Sequence, residues 1–166
     1  VQWNNRFTSS GTALRWATGS KSRPLPSIGV GTVDEIYAGH VAEHVKDVEA
    51  AFRRWHALMK TGGVITVVVP DCPGSVRQWL SGRHWPGIEH PSDRGMLAAA
   101  TGYHDREHAA RDPELLQMHR RFWDFSSLST CLKFAGFQNI EKTDDHPLMV
   151  RTCRDLGWQL ALRASR

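Results

Sequence analysis

No aspartate or glutamate precedes Asp34 in this chain of 166 residues. The opening stretch, residues 1–32, carries Arg6, Arg15, Lys21 and Arg23 with nothing to balance them, and so accounts by itself for the net charge of +4. Four cations spread over that length read as a solvated basic surface, and nucleic acid is not the expected partner. Cysteine is scarce: Cys72, Cys131 and Cys153 are odd in number and far apart. That excludes a disulfide framework and a CxxC zinc site, and fits a reducing cytoplasm. No apolar run approaches the length of a membrane span, and no signal-peptide pattern opens the sequence. A cytoplasmic chain without membrane contact is the expectation. Internal repeats and low-complexity tracts are lacking as well.

What is present has a globular composition, 40% hydrophobic and 23% charged, and suits one domain over residues 1–166. Its first 32 residues are an atypical basic segment. There "VQWNNRF" and "ALRWAT" read as short strands divided by Ser9, Ser10 and Gly11. Pro24 and Pro26 hold "SRPLPSIGVG" as an extended loop. A strand over Val33–Ala38 follows. Val45, Val48, Ala51, Phe52, Trp55 and Met59 then recur at steps of three and four, which predicts a helix over about 45–60, stopped by Gly62 and Gly63. The β-branched run Val64–Pro70 predicts a central strand buried on both faces. Strand, helix and strand make a crossover unit.

Residues 71–125 form an irregular, variable insertion with helical pieces expected near Ser75–Leu80 and Asp93–Thr101. A helix capped by Ser126 and ended by Gly136 would line one side with Leu128, Cys131, Leu132 and Ala135. Strands over 138–143 and 157–164, joined by a short hairpin, close the chain, so the last strand runs antiparallel.

"HVAEH" (His40 to His44) and "HDREH" (His104 to His108) both match H-x-x-E-H, an inverted zincin pattern. That pattern requires both histidines on one helical turn. His40 follows a strand end and Gly39, so it belongs to a turn, and no third ligand is visible. No metal is expected, and zinc-dependent hydrolysis is a minor alternative.

The order of features points to another chemistry. "LPSIGVGTVDEIYAGHVAEHV", a helix ending "LMKTGG" and then "VITVVVPD" closely resemble the second half of class I S-adenosylmethionine (SAM)-dependent methyltransferases. The likeness is greatest to small bacterial predicted methyltransferases of the type 11 kind. The matching pieces are Leu25-Pro26, Val33–Tyr37, Glu43-His44, Lys60–Gly63 and Pro70-Asp71, with Thr61 where proline is usual. "HRRFWDFSSLSTCLKFAGFQNIE" also resembles the family's aromatic-Asp-x-x-Ser-Leu segment, and the resemblance covers roughly residues 24–165.

The resemblance implies an α/β, Rossmann-like methyltransferase sandwich with SAM as cofactor and a small-molecule acceptor. Val33–Ala38 would be the family's fourth strand, and Glu43 and His44 would begin the next helix. Ligands in such sheets lie outside the carboxyl ends of the strands. Cofactor contacts would therefore fall on Leu25, Pro26, Ala38, Gly39, His40, Val41 and His44, with Gly39 allowing a close backbone approach. The insertion would supply the substrate side through Asp71, Trp79, His84, Trp85 and Tyr103, with His90 and His108 nearby. His104 and His119 are the candidate bases.

Two family signatures are missing: the glycine-rich turn after the first strand, and the acid that holds the ribose hydroxyls. Gly29–Gly31 precedes a strand rather than a helix, and no acid exists before Asp34. The sandwich is thus expected to be incomplete in its N-terminal half, whether as a fragment, as a degenerate relative, or as a chain completed by another. Without the central first strand, Val33–Ala38 would be an edge. Either "VQWNNRF" or "ALRWAT" should then pair with it, or a second copy should. The rival to an enzyme is a non-catalytic binding or partner subunit of the same fold.

Overall fold

A computed structural model describes residues 2–8, 11–17, 28–82, 100–103, 106–144 and 157–166. Among these, six strands form a single sheet in the order β1-β2-β3-β4-β6-β5. The strands are β1 (Gln2–Thr8), β2 (Gly11–Ala17), β3 (Val33–Gly39), β4 (Met59–Pro70), β5 (Gln138–Lys142) and β6 (Gln159–Ser165). The helices are α1 (Val48–Leu58), α2 (Cys72–Leu80), α3 (Arg106–Ala110) and α4 (Phe125–Phe134). The central strands β2, β3 and β4 run parallel, and the flanking strands β1 and β6 are antiparallel to their neighbours. The Rossmann-like layering is the one the resemblance implies, and the last strand is antiparallel as expected, though not by way of a short hairpin.

The edge that β3 would otherwise expose is covered by β2, with Leu14 opposite Ile36 and Trp16 opposite Ala38. An internal strand therefore takes the place for which a second chain was the alternative. β4 is central, but it is parallel only to β3; its other neighbour, β6, runs against it.

The main core lies where α1 and α4 cover one face of the sheet. Val48, Phe52, Trp55 and Leu58 are the buried stripe of α1. They meet Ile36, Ala38, Ile65, Val67, Leu128, Leu132 and Leu162 in one continuous cluster. Each fully buried large side chain contributes about 1.5–3 kcal/mol relative to exposure. A register shift between Val33 and Glu35 explains how Val33 shares the core face with Ile36 and Ala38, which simple alternation would forbid. On the other face Tyr37, Val68 and Ala161 form a smaller cluster.

Several expected boundaries move. Helix α1 begins at Val48, because the Asp47 side chain accepts a bond from the Ala50 amide, and Glu43 and His44 lie in the preceding turn. It ends at Leu58, since Met59 is extended and pairs with Val33. Helix α4 is capped by Asp124 in a capping box with Ser127, not by Ser126. The link between β5 and β6 is no short hairpin: it runs from 143 to 158, and 145–156 lie outside the described residues. The helix expected near Asp93–Thr101 falls mostly outside them too.

Candidate functional site

The parallel strands β3 and β4 end side by side, and the chemistry-bearing side chains collect at those carboxyl ends. Gly39 closes β3. A Cβ there would stand 2.7 Å from the Tyr37 ring, so glycine is required by the protein's own tyrosine two residues earlier. His40 follows with φ of 52°, a left-handed conformation that turns the chain out of the sheet. Its amide still donates to Val68 at 2.8 Å. Val41 and Ala42 then dive into the main core, fully buried. Ala38 is likewise buried there. Of the cofactor contacts expected from the sequence, Ala38 and Val41 are therefore fully covered by the protein itself.

The turn brings together an ordered set of polar groups. The His40 ring donates from Nδ1 to Glu43 Oε1 at 3.0 Å and accepts at Nε2 from Gln159 Nε2 at 2.6 Å. Trp158 stands beside it, ring centroids 5.7 Å apart. Glu43 is 1% exposed, and its Oε2 has no hydrogen-bond partner among the described residues. His44 donates from Nδ1 to the Met118 carbonyl at 3.3 Å, while its Nε2 lies 3.8 Å from Glu43 Oε1. Burial lowers its pKa, with the neighbouring Glu43 charge pulling the other way. His119 packs against His44, ring centroids 4.9 Å apart.

The insertion is fastened to this turn by its backbone: the Arg120 amide donates to Glu43 O at 2.7 Å, and the His119 amide to Thr101 O at 3.0 Å. His119, one of the two candidate bases, is thus the histidine that the fold delivers to the β3 turn. Its expected companion His104 lies outside the described residues, as do Leu25, Pro26, His84, Trp85 and His90; for His108 only the backbone is described.

The other expected substrate residues within the described parts are Tyr103, Asp71 and Trp79. Tyr103 is 7% exposed and donates its hydroxyl to Asp112 at 2.8 Å, while the Asp112 carboxylate also takes the amides of Leu116 and Gln117. Burial, aided by Asp112, pushes the Tyr103 pKa up to about 12. Tyr103 braces the insertion through its bond to Asp112. Asp71 stands at the end of β4, its amide bonded to Trp158 O at 2.7 Å and its carboxylate 3.4 Å from Arg77. Burial raises its pKa against the pull of Arg77. Trp79, on α2, is 44% exposed. Glu43 as a buried hub and Gln159 as the partner of His40 were not foreseen. The pair Glu43-His44 was visible in the sequence, but nothing there marks Gln159, which arrives from the far end of the chain.

The comparisons with known proteins agree with this architecture. A family model described as a methyltransferase domain matches residues 16–142. A possible exported protein from Bordetella parapertussis shares the fold with a TM-score of 0.51 at 14% identity, over 84% of this chain and 41% of that one. A SAM-dependent methyltransferase from Archaeoglobus fulgidus aligns at 13% identity and a TM-score of 0.46, over 84% and 62%. A possible histamine N-methyltransferase from Thermotoga maritima aligns at 15% and 0.46, over 85% and 59%. The chain therefore spans less than two thirds of each of these proteins. No curated protein matches. No described helix is long and apolar enough to cross a membrane. With more than half its length matched by the family model, and with β2, β3 and β4 laid parallel under a turn of polar side chains, the chain belongs to the methyltransferase domain family.

Proposed function

We propose that this chain takes part in methyl transfer from SAM to a small-molecule acceptor, and that the turn Gly39–His44 is where the cofactor's methionine end and the acceptor meet. SAM, when bound, supplies an electrophilic methyl group on a sulfonium. The carrying observation is the pinned imidazole of His40, held between Glu43 and Gln159 at the carboxyl end of β3. A ring fixed at both nitrogens is a positioning element, since its orientation no longer has to be selected on binding. Gly39 and His40 would meet the cofactor through backbone and ring, and Asp71 and Trp79 would face the acceptor. Methylation of an O–H or N–H releases a proton, which His119 would accept in the absence of a bound metal.

Residues 1–33 contain no carboxylate to take the ribose hydroxyls, and this segment alone would forgo a charge-assisted bond of about 1.5–3 kcal/mol, roughly ten- to a hundredfold in affinity. Calorimetric titration with SAM and with its demethylated product is the test. Weak binding that falls further in His40→Ala supports the reading. Binding that is indifferent to His40 removes the site from this turn. Lack of binding by this chain and also by a version extended upstream favours the second reading, a non-catalytic partner subunit; binding regained by the extended version keeps the methyltransferase reading.

A further inference from the structure

We propose that Glu43, His44 and His119 form a binding site for one divalent first-row transition metal, with zinc the simplest occupant. The three side chains each offer a ligand atom, and these atoms all lie within 4.8 Å of one another. Two imidazole nitrogens and a carboxylate oxygen are the donor set such metals favour. A tetrahedral zinc site with bonds of about 2.0–2.1 Å spaces its ligands at about 3.4 Å. The His44 Nε2 to Glu43 Oε1 distance of 3.8 Å is close to that, within reach of small side-chain rotations.

The proton accounting carries the inference further. His44 Nδ1 faces a carbonyl, Met118 O, which can only accept, so Nδ1 holds the hydrogen. In the neutral ring Nε2 is then a bare lone pair, 3.8 Å from a carboxylate oxygen, which also has only lone pairs to offer. Two acceptors are neighbours with no hydrogen between them. The carboxylate is 1% exposed, and its Oε2 finds no hydrogen-bond partner among the described residues. A buried, half-satisfied carboxylate is costly unless it meets a cation. A metal ion satisfies both conditions at once.

The surrounding bonds are those that orient metal ligands. The Met118 carbonyl fixes the His44 tautomer, and the His40 ring, itself held by Gln159, fixes Glu43. This is not the zincin arrangement of the H-x-x-E-H pattern, because both His40 nitrogens are engaged and the third donor comes from His119. Three protein donors leave a coordination position open for water or an acceptor oxygen, which the metal would polarise. The site rests on its donors alone and stands whether or not the chain transfers a methyl group.

Zinc titration of chelator-treated protein near neutral pH, by calorimetry, tests it, with cobalt as a spectroscopic substitute. One equivalent is expected to bind, raising the melting temperature, and cobalt should show visible bands of a low-coordinate nitrogen and oxygen site. His119→Ala and Glu43→Gln should each weaken binding roughly a hundredfold. His119→Ala decides alone if Glu43→Gln does not keep the native circular dichroism. No stoichiometric binding, or binding unchanged in these variants but lost in His104→Ala or His108→Ala, overturns the proposal.

Discussion

Glu43 and His40 are joined across a single turn by a 3.0 Å bond, yet the carboxylate that makes it is the most deeply buried acid of the corner, 1% exposed. A fold seeking stability alone would place a hydrocarbon there. Glu43→Leu should therefore leave the melting temperature unchanged or raise it, because it removes an incompletely satisfied buried charge. It should also abolish whatever ligand the turn binds. A destabilisation beyond about 2 kcal/mol in denaturant titration would show that the carboxylate is structural.

Gly39 tests whether the turn is built by close packing. Its missing Cβ leaves room for the Tyr37 ring, 2.7 Å from where a Cβ would stand. Gly39→Ala should cost about 1–3 kcal/mol as the ring is displaced. Tyr37→Leu should relieve part of that cost, so a double-mutant cycle is expected to give a favourable coupling of about 1 kcal/mol. Additive effects would mean that the ring yields freely.

The capping of α4 separates what the chain spells out from what only the fold reveals. The Asp124 side chain accepts from the Ser127 amide at 2.7 Å, whereas Ser126 lies inside the helix. Asp124→Ala should cost about 1 kcal/mol and Ser126→Ala a few tenths at most. Equal effects in urea titrations would restore the serine reading.

The main supports of the fold were legible because they are local. The stripe of Val48, Phe52 and Trp55 and the β-branched run of β4 carry their periods in the sequence itself. Met59 misled because it continues the helical spacing, yet its backbone pairs with Val33, a contact no local pattern encodes. The site divides in the same way. The Gly39-His40 turn follows from a strand that ends in glycine. Glu43 read as a helix start, but Asp47 takes the cap and leaves Glu43 to be buried. His119 and Gln159 reach the turn only through the docked insertion and the last strand, and long-range placement of this kind leaves no mark on spacing.

His56 should make the fold sensitive to mild acid. Burial, and then the positive charge of Arg166, hold its pKa below the usual 6.5, opposed by a bond to the Gly136 backbone. Its ring stands edge-on to Phe137, centroids 5.1 Å apart, at the exit of α4. Arg166 is fixed nearby because its guanidinium donates to the carbonyls of Met59 and Ala57. A folded-state pKa depressed below the unfolded value means that the unfolded chain binds the proton more readily. The stabilisation is therefore complete above pH 6.5 and is lost as pH falls through the lower, folded-state value. Stability measured by denaturant titration should decline on acidification through this window, before carboxylates begin to titrate. His56→Gln, which keeps a polar side chain but cannot charge, should flatten that decline. An unchanged slope in the variant would assign the acid sensitivity to other groups, with His44 the first to replace.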